Sequence, residues 1–241
     1  MSDDNSIRLA KRVAEMIPCS RGEAEQYIAG GWISVDGEVV EEAGARVLDE
    51  QDVVLHQDAK LGEIVPVTIL LHKPAGLDTN GADTLALLTK ENLVLADHGN
   101  QRFLKRHLSN LKMVTPLDGR AGGLVVFSQD FRVARKLLDD GIRVEQEYIV
   151  EVSGTINEGG LALLNHGLSY NGKEIPPMKV SWQNETRLRF ALKGVRPGQL
   201  NSMCREVGLK PVSIKRIRVG RIPMASLPVG QWRYLHEYER F

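Results

Sequence analysis

The sequence predicts an α+β protein: a small N-terminal domain of two helices plus a small hairpin, then a larger domain with a mainly antiparallel sheet. Three observations predict it. Two short stretches of helical periodicity and a hairpin signal fill the first part of the chain. A polar segment, Gln57 to Pro66, containing Gly62 and Pro66, then separates them from a new apolar strand. Beyond it, short apolar strands are interspersed with a few helical segments rather than alternating regularly with them.

In chain order, Leu9, Val13, Met16 and Ile17 recur at helical spacing between bases, which predicts an amphipathic helix over Ile7 to Ile17. Ser20 three residues before Glu23 is a capping-box pattern and starts a second helix through Ala24, Tyr27 and Ile28. Gly30-Gly31 ends it. Trp32, Ile33 and Val35 lead into Asp36-Gly37, a hairpin turn signal, with Val39-Val40 beyond. These elements assign residues 1–60 to one domain and residues 65–241 to a second. In the second, strands are expected at Val67 to Leu71, Gly123 to Ser128, Glu147 to Val152, Arg187 to Leu192 and Ser213 to Val219. Helices are expected at Phe131 to Asp140 and Gln199 to Val207.

Composition excludes several classes. With 42% hydrophobic and 26% charged residues in 241, the chain can bury one substantial core and a small accessory one, which excludes disordered and fibrous classes. Met1 to Ile7 is polar and acidic, and no apolar run approaches the roughly 18 to 20 residues of a membrane span, so no signal peptide, anchor or membrane partner is expected and the location expected is cytoplasmic. Cys19 and Cys204 form no CxxC pair and the histidines show no ligand spacing, so no disulfide and no metal are expected. No glycine-rich phosphate loop occurs. No heptad repeat points to association, so a monomer is expected. The formal net charge is zero, but bases dominate the last fifty or so residues, among them Lys215, Arg216 and Arg218, while Arg8, Lys11, Arg12 and Arg21 gather near the start.

Arg8-Leu9, Cys19-Ser20-Arg21, Ala24, Ile28, Gly31 and Val35-Asp36-Gly37 together resemble the small RNA-binding fold named after ribosomal protein S-four, in spacing as well as identity. That resemblance implies that Arg8, Lys11, Arg12 and Arg21 contact RNA; by themselves these charges read as a solvated helix face.

Four ordered blocks fill the second domain. They are His72-Lys73-Pro74-Ala75-Gly76; Pro116-Leu117-Asp118-Gly119-Arg120 running into Leu124 and an apolar strand; Glu147-Tyr148-Ile149; and Gly194 through Gln199, Met203-Cys204 and Lys215-Arg216-Ile217-Arg218 to Leu227-Pro228-Val229-Gly230-Gln231-Trp232-Arg233. Taken alone, an aspartate before glycine is a turn residue and a strand tyrosine is core. In this order the blocks resemble the RsuA/RluB/RluE/RluF family of ribosomal RNA pseudouridine synthases. The resemblance implies a pseudouridine synthase domain that needs no cofactor. It implies two catalytic residues, Asp118 as the essential carboxylate and Tyr148 as the residue that stacks on the flipped base and can move a proton. It also implies that Lys215, Arg216 and Arg218 hold the phosphate backbone of RNA, and that this RNA is ribosomal.

Three family cations are absent. Pro116 stands where the family has the arginine before Leu-Asp, Asn201 where it has the arginine that pairs with the aspartate, and Gln146 where it has lysine. Arg120 and Arg196 are the candidate replacement partners for Asp118. Without one, the alternative is a catalytically degenerate, non-enzymatic RNA-binding module on the same scaffold.

Overall fold

The computed structural model describes residues 6–62, 65–78, 81–94, 102–166 and 168–241. Most of the polar N-terminal stretch, and Glu63 and Ile64 of the polar segment, lie outside them. The chain divides into two compact units, Met1–Pro66 with Arg102–Ser109, and Val67–Gln101 with Asn110–Phe241.

In the first unit, β1 (Ile7–Arg8) runs into α1 (Leu9–Met16), followed by α2 (Arg21–Ala29), β2 (Ile33–Val35), β3 (Glu38–Val39), β4 (Arg46–Val47) and β5 (Val53–Leu55). The capping box forms at both ends: the Glu23 amide donates to Ser20 Oγ at 3.2 Å, and the Ser20 amide to Glu23 Oε2 at 2.7 Å. The hairpin turn has positive φ at both Asp36 (50°) and Gly37 (83°), as a two-residue turn matched to strand twist requires. β3, β2 and β5 form one sheet and β1 pairs with β4, while Leu9, Val13, Ala24, Ile28, Ile33, Val47 and Val53 fill the core.

Arg102–Ser109, which the sequence reading leaves in the second domain, belongs to this unit. Its Leu104 is buried, close enough to Gly31 that a Cβ there would lie 2.5 Å from the leucine side chain. The Glu41 carboxylate accepts the Lys105 and Arg106 amides at 2.9 and 3.3 Å, and the Arg102 guanidinium lies 5.3 Å from the Trp32 ring centroid. No sequence pattern marks this segment, because its partners are single residues scattered over Gly31 to Glu41.

The second unit contains β6 (Thr68–Lys73), α3 (Ala82–Leu85), β7 (Lys112–Met113), β8 (Gly122–Ser128), α4 (Phe131–Leu138), β9 (Glu145–Ser153), α5 (Gly160–Asn165), β10 (Ser169–Tyr170), β11 (Lys173–Glu174), β12 (Lys179–Asn184), β13 (Arg187–Lys193), α6 (Gln199–Glu206), β14 (Lys210–Val219), β15 (Ile222–Pro223) and β16 (Trp232–Tyr234). Its main sheet runs β12-β13-β9-β14-β8-β6-β16, with β7 and β15 added at the side. Every pair is antiparallel except β14 with β8. The mainly antiparallel sheet expected from the sequence is therefore present, with one parallel pair at its centre.

Burial follows position in the sheet. β6 and β8 are buried along their whole length, as central strands covered on both faces are, whereas β13 alternates buried and outward residues. Helix α4 starts where Asp130 Oδ1 accepts the Arg132 amide at 2.8 Å. Strand β12 was not foreseen; its Lys-Val-Ser-Trp-Gln-Asn sequence has little apolar content, as suits the edge of a sheet.

Candidate active site

The centre of the sheet brings four of the sequence blocks into one row. Lys73 pairs with Gly123, Gly123 with Arg216, Arg216 with Tyr148, and Tyr148 with Phe190, across β6, β8, β14, β9 and β13. Gly123 has φ +112°, and a Cβ there would lie 2.2 Å from the Arg216 carbonyl oxygen, so only glycine permits this approach of β8 to β14.

Asp118 lies in the loop that enters β8 and is half-buried. Its Oδ1 accepts the Arg120 amide at 2.9 Å, and its carbonyl accepts the Ala121 amide at 2.9 Å, a local turn that fixes the carboxylate. The Gly119 carbonyl accepts the Gly76 amide at 2.8 Å, which ties this loop to the turn after β6.

Two buried cations hold the loop on either side of Asp118. Arg216 is 1% exposed, and its five N–H donors are all used: Nε to the Leu124 carbonyl at 2.7 Å, Nη2 to the Thr115 carbonyl and Oγ1 at 2.6 and 3.1 Å, Nη1 to the Pro116 carbonyl and Gln146 Oε1 at 3.0 and 3.2 Å. Lys73 is fully buried and donates to the carbonyls of Pro74, Leu77 and Gly119 at 2.9, 2.8 and 3.4 Å. Burial pushes the Lys73 ammonium below its ordinary value; the Asp118 carboxylate opposes that shift, Arg216 adds to it and Asp78 opposes it. Lys73 and Asp118 are thus electrostatic neighbours.

Tyr148, 3% exposed, donates its hydroxyl to Gln146 Oε1 at 2.6 Å. The Leu227 to Arg233 ending locks the other end of the site: the His72 amide donates to the Gln231 carbonyl and the Gly230 amide to the His72 carbonyl, and His72 Nδ1 lies 2.7 Å from the Leu227 carbonyl. Buried Trp232 donates its indole N–H to the Thr89 carbonyl at 2.8 Å.

The other expected site residues are distributed differently. Among the described residues, no ion pair involves Asp118; Arg120 reaches it only through its backbone, and Arg196 is exposed with its amide on Gln199 Oε1. Arg216 cannot hold a phosphate backbone as expected, because it is buried and its donors are saturated; that assignment is corrected to a structural cation beneath the Asp118 loop. Arg218 is neutralised by Glu145 and by Glu147 at 2.7 Å, while Lys215 is exposed. In the first unit, Lys11 pairs with Glu15 at 3.8 Å, Arg12 with Asp49 at 3.6 Å and Arg21 with Glu25 at 3.2 Å, while Arg8 is exposed. Arg8, Lys11, Arg21 and Arg46 line an open groove of about 400 Å³ with Glu15 on its rim.

Residues 67–211 match the family described as RNA pseudouridylate synthase, and residues 7–54 match the S4 domain. The chain belongs to the RNA pseudouridylate synthase family. The dual-specificity RNA pseudouridine synthase RluF of Escherichia coli strain K12 is 25% identical, over 99% of this chain and 79% of that protein. The ribosomal small subunit pseudouridine synthase A of Vibrio cholerae is 26% identical over 97% of both chains, and the ribosomal large subunit pseudouridine synthase B of Bacillus subtilis 25% over 97% of this chain and 94% of that one. A solved structure titled as that of a pseudouridylate synthase shares the fold, with a TM-score of 0.60 at 20% identity over 96% of this chain and 97% of that one.

For this synthase, Lys73 enters the sequence analysis only as part of the first family block, and its place as a charged neighbour of Asp118 comes from the structure. The sequence carries no signal for it, because a lysine at the end of a strand and before a turn ordinarily reaches solvent. Among the described residues, no cluster of His, Cys, Asp or Glu could hold a metal ion, and no helix is long and apolar enough to cross a membrane.

Proposed function

We propose that this synthase isomerises a specific uridine in ribosomal RNA, without a cofactor, with Asp118 as the catalytic carboxylate. The observation that carries this reading is the loop around Asp118, half-buried and fixed on both sides by the buried cations Arg216 and Lys73. A carboxylate held in one geometry next to a desolvated cation meets the requirement of positioned nucleophilic catalysis. The ribosomal subunits in the names of two relatives support the choice of RNA.

The uridine leaves its stack at a cost of a few kcal/mol. The bond from C1′ to N1 breaks while the Asp118 carboxylate takes up or stabilises the sugar carbon. The freed uracil turns, C1′ bonds to C5, and the proton displaced from C5 is balanced by one gained at N1, so substrate and product are isomers. Tyr148 contributes an edge to the base, since its ring is nearly enclosed and its hydroxyl is already committed to Gln146. RNA outside the target lies along exposed Arg8 and Lys215 and along Lys11, Arg12 and Arg21, whose surface ion pairs are weak enough to exchange for phosphates. The protein acts as a monomer, and a cytoplasmic location goes with this substrate.

Incubation of purified protein with unmodified ribosomal RNA, followed by carbodiimide mapping, tests the reading. Pseudouridine appears at a defined position with wild type, and Asp118→Asn lowers the rate by at least about 10³-fold. Wild type that binds ribosomal or transfer RNA yet modifies neither refutes the enzyme and leaves the non-catalytic RNA-binding module.

A further inference from the structure

Arg216, Gln146 and Tyr148 form a connected set that neither backbone pairing nor core packing requires. Arg216 and Tyr148 are cross-strand neighbours on β14 and β9, and Gln146 lies two residues before Tyr148 on the same strand. The Gln146 side-chain oxygen accepts from both, from Arg216 Nη1 at 3.2 Å and from the Tyr148 hydroxyl at 2.6 Å. An amide oxygen has two lone pairs, so both are used here. A guanidinium has no acceptor, so the amide can face Arg216 only with its oxygen, and the tyrosine hydroxyl is then the donor.

The same guanidinium grips the carbonyls of Thr115 and Pro116, the third and second residues before Asp118. Its planar fork sets the direction of each contact, which an ammonium could not do. The remaining Nε bond, to Leu124 on β8, anchors the group to the strand that follows the loop.

We propose that Arg216 is a positioning residue for this reaction, coupling the Asp118 loop to Tyr148 through Gln146 so that carboxylate and tyrosine keep one spacing. This rests on Asp118 and Tyr148 being the site residues proposed above. Arg216 touches no substrate; it acts through the two groups it holds. Its charge also lies beneath the loop, where a lysine at position 146 would have added a second cation about one hydrogen bond away. The neutral glutamine accepts where a lysine could only donate, which gives Gln146 a role of its own in this chain. A further consequence is that the Tyr148 hydroxyl, donating to Gln146, presents only acceptor lone pairs to a bound base.

Gln146→Leu tests the coupling with little change of volume and leaves Arg216 four of its five bonds. Kinetics on RNA, a urea midpoint and amide exchange of the 115–121 loop are measured on the whole protein, alongside Arg216→Lys, which keeps the charge and loses the fork. The expected result is a folded Gln146→Leu protein whose kcat falls about tenfold with KM within about twofold, and whose loop exchanges about tenfold faster. Arg216→Lys, where it folds, loses at least as much kcat.

A folded Gln146→Leu protein with wild-type kcat, or with its loss confined to KM, overturns the proposal. If wild type makes no pseudouridine at all, the proposed function fails separately, and loop exchange alone decides the coupling: unchanged in Gln146→Leu, it overturns it; accelerated, it supports it.

Discussion

Burial pushes the His107 imidazole from its ordinary 6.5 down to about 4, with the Arg106 charge adding to the shift and the Glu41 carboxylate opposing it. The side chain is 4% exposed, so the neutral ring is the form the fold accommodates. Between those two values the unfolded chain binds more protons than the folded one. The stabilising contribution of the neutral ring is therefore complete above about pH 6.5, shrinks as pH falls, and is gone below about pH 4, an effect of at most about 3 kcal/mol. Urea midpoints measured from pH 7 to 4 should fall faster for wild type than for His107→Gln; parallel curves would show that His107 does not titrate in this window. Lys73 and Arg216 are buried as well: backbone carbonyls accept from both side chains and replace the water that burial removes. The sequence names all three residues, but their hydration depends on neighbours distant in the chain.

At the scale of elements, the site depends on the one parallel pair among the strands of an otherwise antiparallel sheet. β8 meets β14 at Gly122 and Gly123 only, with Lys215 and Arg216 opposite, and the positive φ of Gly123 lets the two backbones close. Gly123→Ala places a methyl where Arg216 backbone atoms already lie at 2.2 to 2.9 Å. The expected loss is about 3–5 kcal/mol, read as a lower urea midpoint or loss of soluble protein. A Gly123→Ala protein of wild-type stability would mean the strands separate at little cost. The double glycine was visible in the sequence as part of a family block, and the strand around it was placed within a residue. Its partner was not visible: alternation of apolar residues gives the face of a strand but not its neighbour, and β14 comes after β9, β12 and β13 in the chain.

Over the whole molecule, zero net charge conceals a local basic groove in the first unit, where Arg8, Lys11, Arg21 and Arg46 face one opening. Ribosomal RNA affinity should therefore be strongly salt-dependent, and replacing Arg8, Lys11 and Arg21 together by alanine should reduce the slope of log K against log salt by about 2 to 3. An unchanged slope would remove that groove from the RNA path. Helices α1, α2, α4 and α6, the capped start of α2, the Asp36-Gly37 hairpin and the membership of the synthase family follow from sequence, because each rests on local periodicity, turn chemistry or ordered short blocks. Which cations accompany Asp118 did not. Arg120 is suggested by its closeness to Asp118 along the chain and Arg196 by its closeness to Asn201, where the family's arginine is missing, whereas Lys73 and Arg216 arrive from β6 and β14 through strand pairing. The sequence by itself determined the kind of fold and the family, since these are written in neighbouring residues. Tertiary structure alone decided which charges surround Asp118, because a buried cation is defined by the carbonyls that replace its water, and those come from the turn after β6, the loop that enters β8 and β8 itself.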